Sequence, residues 1–194
     1  GWPERSRPME LMNRLLPHWQ FGERHALVLE GVSPARAYAS IVPGLSADDP
    51  LIARAIALRE TPGRLLRAVG LSRNALPSRP FGFHSFTLLG QAPEREVAFG
   101  LAGRFWQMDY GLRRIADTAA FMAMTDQPRL VLNVCVEPLD HQRCQLVTHT
   151  RVQCPDEAQR RRFAPYWYAI RPVSGLIRGR LLRRIARIAS TPPA

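Results

Sequence analysis

The chain has 194 residues, 46 % of them hydrophobic, and its 27 cationic against 16 acidic side chains give a formal net charge of +11. Every one of the 27 cations is arginine, which excludes chemistry that turns on a lysine amine: Schiff-base and pyridoxal-phosphate reactions, P-loop NTP hydrolysis and kinase-type phosphoryl transfer. The length suits one domain with its own core, and no apolar run approaches the ~20 residues that cross a bilayer.

Residues 8–19 read as a short amphipathic helix or loose arm, so that 1–19 is set apart from a domain over 20–190 and a tail at 191–194. Glu23 to Glu30 alternate as a strand that Gly31 closes. Ser33-Pro34 supplies a cap followed by proline at the first helical position, and Pro43-Gly44 stops that helix. Asp48-Asp49-Pro50 opens a second helix in the same way. Thr61-Pro62-Gly63 is expected to break it, with a further turn or two from Arg64 to Val69.

From residue 81 the apolar period changes from 3.6 to 2. Phe81–Leu89 and Glu96–Trp106 read as strands joined by a turn at Gly90–Pro93. Leu112–Ile115 reads as a further strand, and Ala119–Met124 as a turn of helix. Leu130–Glu137 and Arg143–Gln153 form the clearest hairpin. Pairing Glu137 with Gln142 there would set Cys135 opposite Cys144, close to bridging range, although no bridge is expected in a reducing compartment. Pro155–Ala189 is a long helical pattern with a break expected at Pro172–Gly175. The order predicts an α+β fold: a curved antiparallel sheet, two short helices after its first strand, and one long C-terminal helix laid across it.

At the two ends the sequence is similar to a known family. Glu23-Arg-His-Ala-Leu-Val-Leu-Glu30 precedes Ser33-Pro34-Ala-Arg-Ala-Tyr38. Later, Thr148-His-Thr-Arg-Val152 leads through Pro155-Asp156 into Arg162-Phe-Ala-Pro-Tyr-Trp167 and Ser174-Gly-Leu-Ile177. Together these resemble the START-like, or polyketide-cyclase-like, helix-grip superfamily, nearest its uncharacterised bacterial members. The resemblance implies binding of a lipid or other hydrophobic small molecule between sheet and C-terminal helix. A minority of that superfamily are cyclases or dehydratases, so an enzyme acting on a hydrophobic or polyketide-like substrate in the same cavity is the alternative.

On the last strand, Cys144, Leu146, Thr148, Thr150 and Val152 share the face expected toward the helix, while His149 and Arg151 face away. Phe163, Trp167 and Ile170 sit at i, i+4 and i+7 on the helix. The expected ligand-lining set is Phe83, Phe99, Phe105, Trp106, Phe121, Thr148, Phe163, Tyr166 and Trp167; aromatic side chains that simply fill the core are the plainer account of each one singly. For the enzyme alternative, His84, Asp109 and Tyr110 are the acid–base candidates. No cofactor is expected. His141, Cys144, His149 and Cys154 lie close in sequence, but alternation splits Cys144 from His149, so no metal site is expected either.

The charge is unevenly placed. Residues 160–194 hold nine arginines and no acid, against 18 arginines and 16 acids before them. Arg180, Arg183, Arg184 and Arg187 gather on one side of a helical wheel, opposite Ile177, Leu181, Ile185 and Ile188. Three readings stay open: a solvated face of a core helix, an anionic membrane surface, and nucleic acid, the last weakest because no aromatic residues interleave the basic ones. The chain reads as cytoplasmic, with peripheral membrane attachment as the variant that the basic helix would allow. Oligomeric state is not legible.

Overall fold

In the computed structural model, residues 9–68, 70 and 81–191 are described, the side chains of residues 62–67 apart. The first eight residues and the last three lie outside this set, as does Val69, the last residue of the further turn expected from Arg64. Among the described residues five strands form one antiparallel sheet: β1 (Phe21–Glu30), β2 (Thr87–Ala92), β3 (Glu96–Ala102), β4 (Arg129–Pro138) and β5 (Arg143–Gln153), in the order β1-β5-β4-β3-β2. Among the described residues six α-helices accompany it: α1 (Glu10–Leu15), α2 (Pro34–Ala39), α3 (Ile41–Ser46), α4 (Pro50–Ala68), α5 (Thr118–Ala123) and α6 (Glu157–Ser190). The architecture is the α+β arrangement expected from sequence, with α6 as the long C-terminal helix; the first helix expected after β1 is divided into α2 and α3, and the second is the 19-residue α4.

Local chemistry sets the element starts. Ser33 Oγ accepts from the Arg36 amide at 3.3 Å with Pro34 in the first turn, and Asp49 Oδ1 accepts from the amides of Leu51 and Ile52 at 2.9 and 3.3 Å. Asp117 and Asp156 cap α5 and α6 by accepting amide hydrogens from Ala120 and Gln159, both at 2.7 Å. Three prolines expected to end or interrupt helices do not, and Pro43 lies inside α3. α4 runs on through Pro62 to Ala68, and α6 runs unbroken through Pro165 and Pro172. Both α6 prolines are exposed, so the carbonyls left without a partner by their missing N–H groups face water rather than the core.

The sheet buries both faces. Phe21, Leu29, Cys144, Leu146, Val152, Leu132, Val134, Val97, Phe99 and Leu101 look toward α6, where Phe163, Trp167, Leu182, Ile185 and Ala189 meet them. Across the sheet, Ala98, Ala102 and Val131 lie under Leu11, Met12, Leu15, Leu16, Ile115 and Phe121. The expected loose arm is therefore a docked helix: the Leu11 amide donates to Glu96 Oε1 at 2.8 Å, and Arg151 Nη1 donates to the Leu16 carbonyl at 3.2 Å. Phe121, Phe163, Leu146 and Ile185 are each under 2 % exposed, and burial of each contributes about 1.5–3 kcal/mol. At Gly44 an added Cβ would lie 2.5 Å from Ile185 Cγ1, so glycine there is what lets α3 close on α6.

Other expectations shift in detail. Residues 81–89 are not one strand: Phe83–Ser85 form a 3-10 turn, and β2 starts at Thr87 with a bulge between Leu88 and Gly90. Leu112–Ile115 form no strand; a single bond from the Arg113 amide to the Ala102 carbonyl at 2.8 Å ties this stretch to β3. In the β4–β5 hairpin Glu137 pairs with Gln145 and Pro138 with Cys144, so Cys135 stands opposite Val147. Cys144 faces α6 and Cys135 faces α1. The expected proximity of the two thiols is overturned by this register, and all three cysteines are free and buried.

Candidate functional site: a polar band between sheet and C-terminal helix

The α6 side of the sheet is apolar at both ends and polar in the middle. The rungs Phe21–Val152 and Leu27–Leu146 bracket two others, Glu23–Thr150 and His25–Thr148. Strand alternation puts all of these on one face, so β1 and β5 bring four polar side chains into a square under α6. Glu23 is 8 % exposed, while Thr148 and Thr150 are at 0 %. From the helix, Arg178 Nη1 donates to Thr150 Oγ1. Burial pushes the Arg178 guanidinium down to about 10, against an opposing pull from the Glu23 carboxylate. His25 Nε2 and Glu23 Oε1 are 2.8 Å apart.

Two atoms of this band have no partner: Glu23 Oε2 and Thr148 Oγ1. Buried polar atoms are nearly always paired, because leaving one unpaired costs about 1–3 kcal/mol. The helix is thinnest over the same place, where Ser174 and Gly175 follow the bulky Phe163 and Trp167. A Cβ added at Gly175 would lie 3.5 Å from both Glu23 Oε1 and His25 Cε1. The band thus offers a carboxylate oxygen that accepts, a hydroxyl that donates or accepts, and a fixed cation, walled by aromatic and aliphatic clusters on either side.

Phe163, Trp167, Tyr166, Phe105 and Trp106 gather at the Phe21 end, with Phe21 and Phe163 edge to face at 4.9 Å. Phe83 and Phe99 meet at 5.0 Å at the other end, and Thr148 lies in the band itself. Phe121 is a correction: it lies across the sheet among Met12 and Leu15, because its helix, α5, packs on the opposite face. The acid–base candidates part company. His84 is exposed on the 3-10 turn, and Asp109 Oδ1 accepts from the Gly111 amide at 3.1 Å within a turn. Tyr110 is 3 % exposed and belongs to another cluster, where its hydroxyl donates to Glu60 Oε1 at 3.4 Å. The Arg59 guanidinium sits 3.5 Å from the Tyr110 ring centroid and 5.3 Å from that of Tyr166. Burial raises both phenols above their ordinary range. This cluster ties α4 to the loop after β3, through Arg59 Nη2 donating to the Phe105 carbonyl at 2.8 Å.

The four arginines expected to present one cationic surface are also divided. Arg180 Nε and Arg184 Nη2 reach Asp49 Oδ2 at 3.0 and 2.6 Å, and Arg184 Nη1 donates to the Gly44 carbonyl at 3.0 Å, so these two clamp α6 to the start of α4. Arg183 and Arg187 point outward. Arg151, expected to face away from α6, does so but is buried, with its guanidinium 3.7 Å from the Trp19 ring centroid. An open hollow of about 400 Å³ lies at the tip of the β4–β5 hairpin, between Gly31 and Asp140–Arg143. Its lining is turn backbone and solvated polar side chains, beyond the far end of the β1–β5 ladder from the polar band.

Glu23, His25 and Arg178 did not figure among the sequence candidates. The signal was present in Phe21-x-Glu23-x-His25-x-Leu27-x-Leu29: two polar residues interrupt the apolar alternation on what must be the buried face of β1.

No protein-family model matches the chain, and no curated protein matches it. Among solved structures it is similar to a conserved protein from Geobacillus kaustophilus, with a TM-score of 0.42 and 8 % identity over 87 % of this chain and 95 % of that one.

Proposed function

We propose that the protein binds an apolar small molecule bearing a hydroxyl group, held between the sheet and α6 with the hydroxyl at the polar band. The observation that carries this reading is the pair of buried, unpartnered oxygens, Glu23 Oε2 and Thr148 Oγ1. They stand on diagonal positions of the same face of paired strands. A ligand hydroxyl donates to the carboxylate and accepts from the threonine, satisfying both at once. A ligand carboxylate would meet Glu23 as a like charge in a poorly solvated site, so fatty acids are disfavoured relative to alcohols and sterols. Affinity would come from the apolar body of the ligand against the Phe21–Phe163–Trp167 and Phe83–Phe99 clusters. The likeness of the sequence's two ends to the helix-grip superfamily points the same way.

The test is organic extraction of the purified protein followed by mass spectrometry, with thermal-shift titration of a long-chain alcohol, a sterol and a fatty acid of matched length. A co-purifying neutral hydroxylated molecule, and stabilisation by alcohol or sterol above acid, is the expected result. No extracted molecule together with no stabilisation by any of the three overturns the reading.

One observation favours a second reading, acid–base chemistry of cyclase or dehydratase type. Histidine held by a carboxylate is the pairing that general-base catalysis uses, and here it is His25 with Glu23 that has it, rather than His84 with Asp109. Ligand turnover in the wild type, abolished in His25→Gln with binding retained, would distinguish a catalyst from a carrier.

A further inference from the structure

The outward face of α6 is not a plain solvated surface. At 100° per residue, Pro165, Tyr168, Ala169, Pro172, Val173 and Leu176 fall within about 140° of arc, opposite the buried Phe163, Trp167, Leu182 and Ile185. Tyr168 is 63 % exposed, Leu176 60 % and Val173 45 %, and the two prolines are exposed between them. Three turns of helix therefore present a continuous apolar stripe, about 17 Å long, to solvent. Scattered exposed apolar residues are ordinary; an aligned stripe along one helix is not.

Arginines stand at both ends of the stripe in the same arc. Arg161 and Arg162 precede it, and Arg183 and Arg187 follow it, all exposed. Glu157, at the first turn, is the one acid of α6, and it is engaged by Arg160 and Arg161. We propose that this face docks on an anionic phospholipid surface, with Tyr168, Val173 and Leu176 entering the headgroup boundary while Arg162, Arg183 and Arg187 contact lipid phosphates. The charge layout selects this occupant over a second copy of the chain. Whether two α6 helices met parallel or antiparallel, arginine ends would face arginine ends, and like charges brought together disfavour the pairing. An interfacial helix, by contrast, needs an apolar strip flanked by cations and charge attraction to the lipid. The surface differs from the one the helical wheel suggested, since Arg180 and Arg184 are occupied by Asp49 and the lipid-facing apolar residues lie a few turns earlier.

Sedimentation of the full chain with vesicles tests this, using phosphatidylcholine alone and phosphatidylcholine mixed with phosphatidylserine at low and physiological salt. The wild type is expected to bind the mixed vesicles, more weakly as salt rises, and to leave pure phosphatidylcholine largely unbound. Each arginine removed should weaken binding about fivefold, so Arg183→Ala/Arg187→Ala should lose about 25-fold. Leu176→Asp should lose the insertion contact and fall at least tenfold, on the scale of burying one apolar side chain. These side chains are exposed, and far-UV circular dichroism verifies that each variant is folded. Equal binding to both vesicle types, binding to neither, or variants that bind as the wild type does each overturn the proposal. So does concentration-dependent dimerisation abolished by Leu176→Asp, or saturable binding to an acidic protein in place of lipid. The double arginine variant should keep whatever molecule the wild type holds in its interior, so failure of this proposal and failure of the ligand reading are read separately.

Discussion

Replacing Thr148 with valine should move stability and binding in opposite directions. Thr148 is fully buried, its hydroxyl has no partner within the protein, and its cross-strand neighbours are His25 and Val134. Valine keeps the shape and β-branching and removes only the polar atom, so neither packing nor strand preference changes. A buried hydroxyl without a partner costs about 1–3 kcal/mol. Ligand-free Thr148→Val protein should therefore be more stable by about 1–2 kcal/mol, or about 3–6 °C in Tm for a chain of this size. Loss of one hydrogen bond to a bound hydroxyl should weaken ligand binding about five- to tenfold. Thr150 supplies the control. It is equally buried and shares the same face two residues on, but it accepts from Arg178. Thr150→Val strips a buried guanidinium of its partner, so it should destabilise by about 1–3 kcal/mol. Calorimetry or urea denaturation of delipidated protein reads both signs. A Thr148→Val protein that melts several degrees below the wild type would refute the argument, since its hydroxyl would then have a partner inside the fold.

Three further expectations concern the frame around the band. Asp49→Ala removes both a helix cap and the clamp on Arg180 and Arg184, and should cost about 2–3 kcal/mol; Asp49→Asn keeps an acceptor for the cap and should cost about half that. The Arg180 hydrogen bond, with help from Arg184 and the Ile52 and Leu51 amides, holds the Asp49 carboxyl well below the ordinary carboxylate range. The clamp's stabilisation is then complete above about pH 4 and fades as pH falls toward the depressed folded value, so wild type and Asp49→Asn should converge on acidification, as melting curves at pH 7 and pH 3.5 would reveal. Cys135 and Cys144 lie on opposite faces of the sheet, and burial pushes the thiols of Cys135 and Cys154 up to about 12 and 11. Intact mass should be the same with and without reductant, and a thiol reagent at pH 8 should label the three cysteines only after denaturation. Arg151→Ala takes away the bond to the Leu16 carbonyl and the stacking on Trp19, and should raise amide exchange across α1 well above that of β4 and β5.

Much of the frame was legible in local chemistry. Ser33-Pro34 and Asp49-Pro50 mark the starts of α2 and α4 because a side-chain oxygen before a helix is the cheapest answer to its free amides. β1 and β5 were legible because one buried face imposes period two. What failed to show depended on long-range contacts. Hairpin register at Cys135 rests on which face each strand buries, not on the loop between them. The docking of α1 and the position of Phe121 rest on the sheet having two covered faces, whereas the sequence order suggested one. The prolines of α6 are tolerated because the sheet holds the helix on its other side, and no local rule reports that. Glu23 and His25 were visible as letters, but their meaning needed Arg178 from a helix more than 150 residues later.

The absence of lysine acquires a specific sense at residue 178. A lysine buried beneath α6 would be driven toward its neutral form, and a site built on it would lose its charge. The guanidinium falls only to about 10, so the band keeps a permanent positive charge at physiological pH. That charge requires a buried counter-charge, and Glu23 is the acid that provides it. One Glu23 oxygen lies 2.8 Å from His25 Nε2, and the other, like the Thr148 hydroxyl, is buried without a hydrogen-bond partner. In the proposed reading a ligand hydroxyl fits that unmet bonding and an acid does not, and the Arg178–Glu23 pair tunes the difference. An Arg178→Met chain tests this sequence of dependences. Removing the guanidinium takes away the positive charge that the Glu23 carboxylate faces across the band and the donor to Thr150. Thermal-shift titration should then show a wider gap between alcohol and acid of matched length, since the acid would meet Glu23 with no cation beside it, whereas an unchanged preference would mean that the arginine does not tune the specificity.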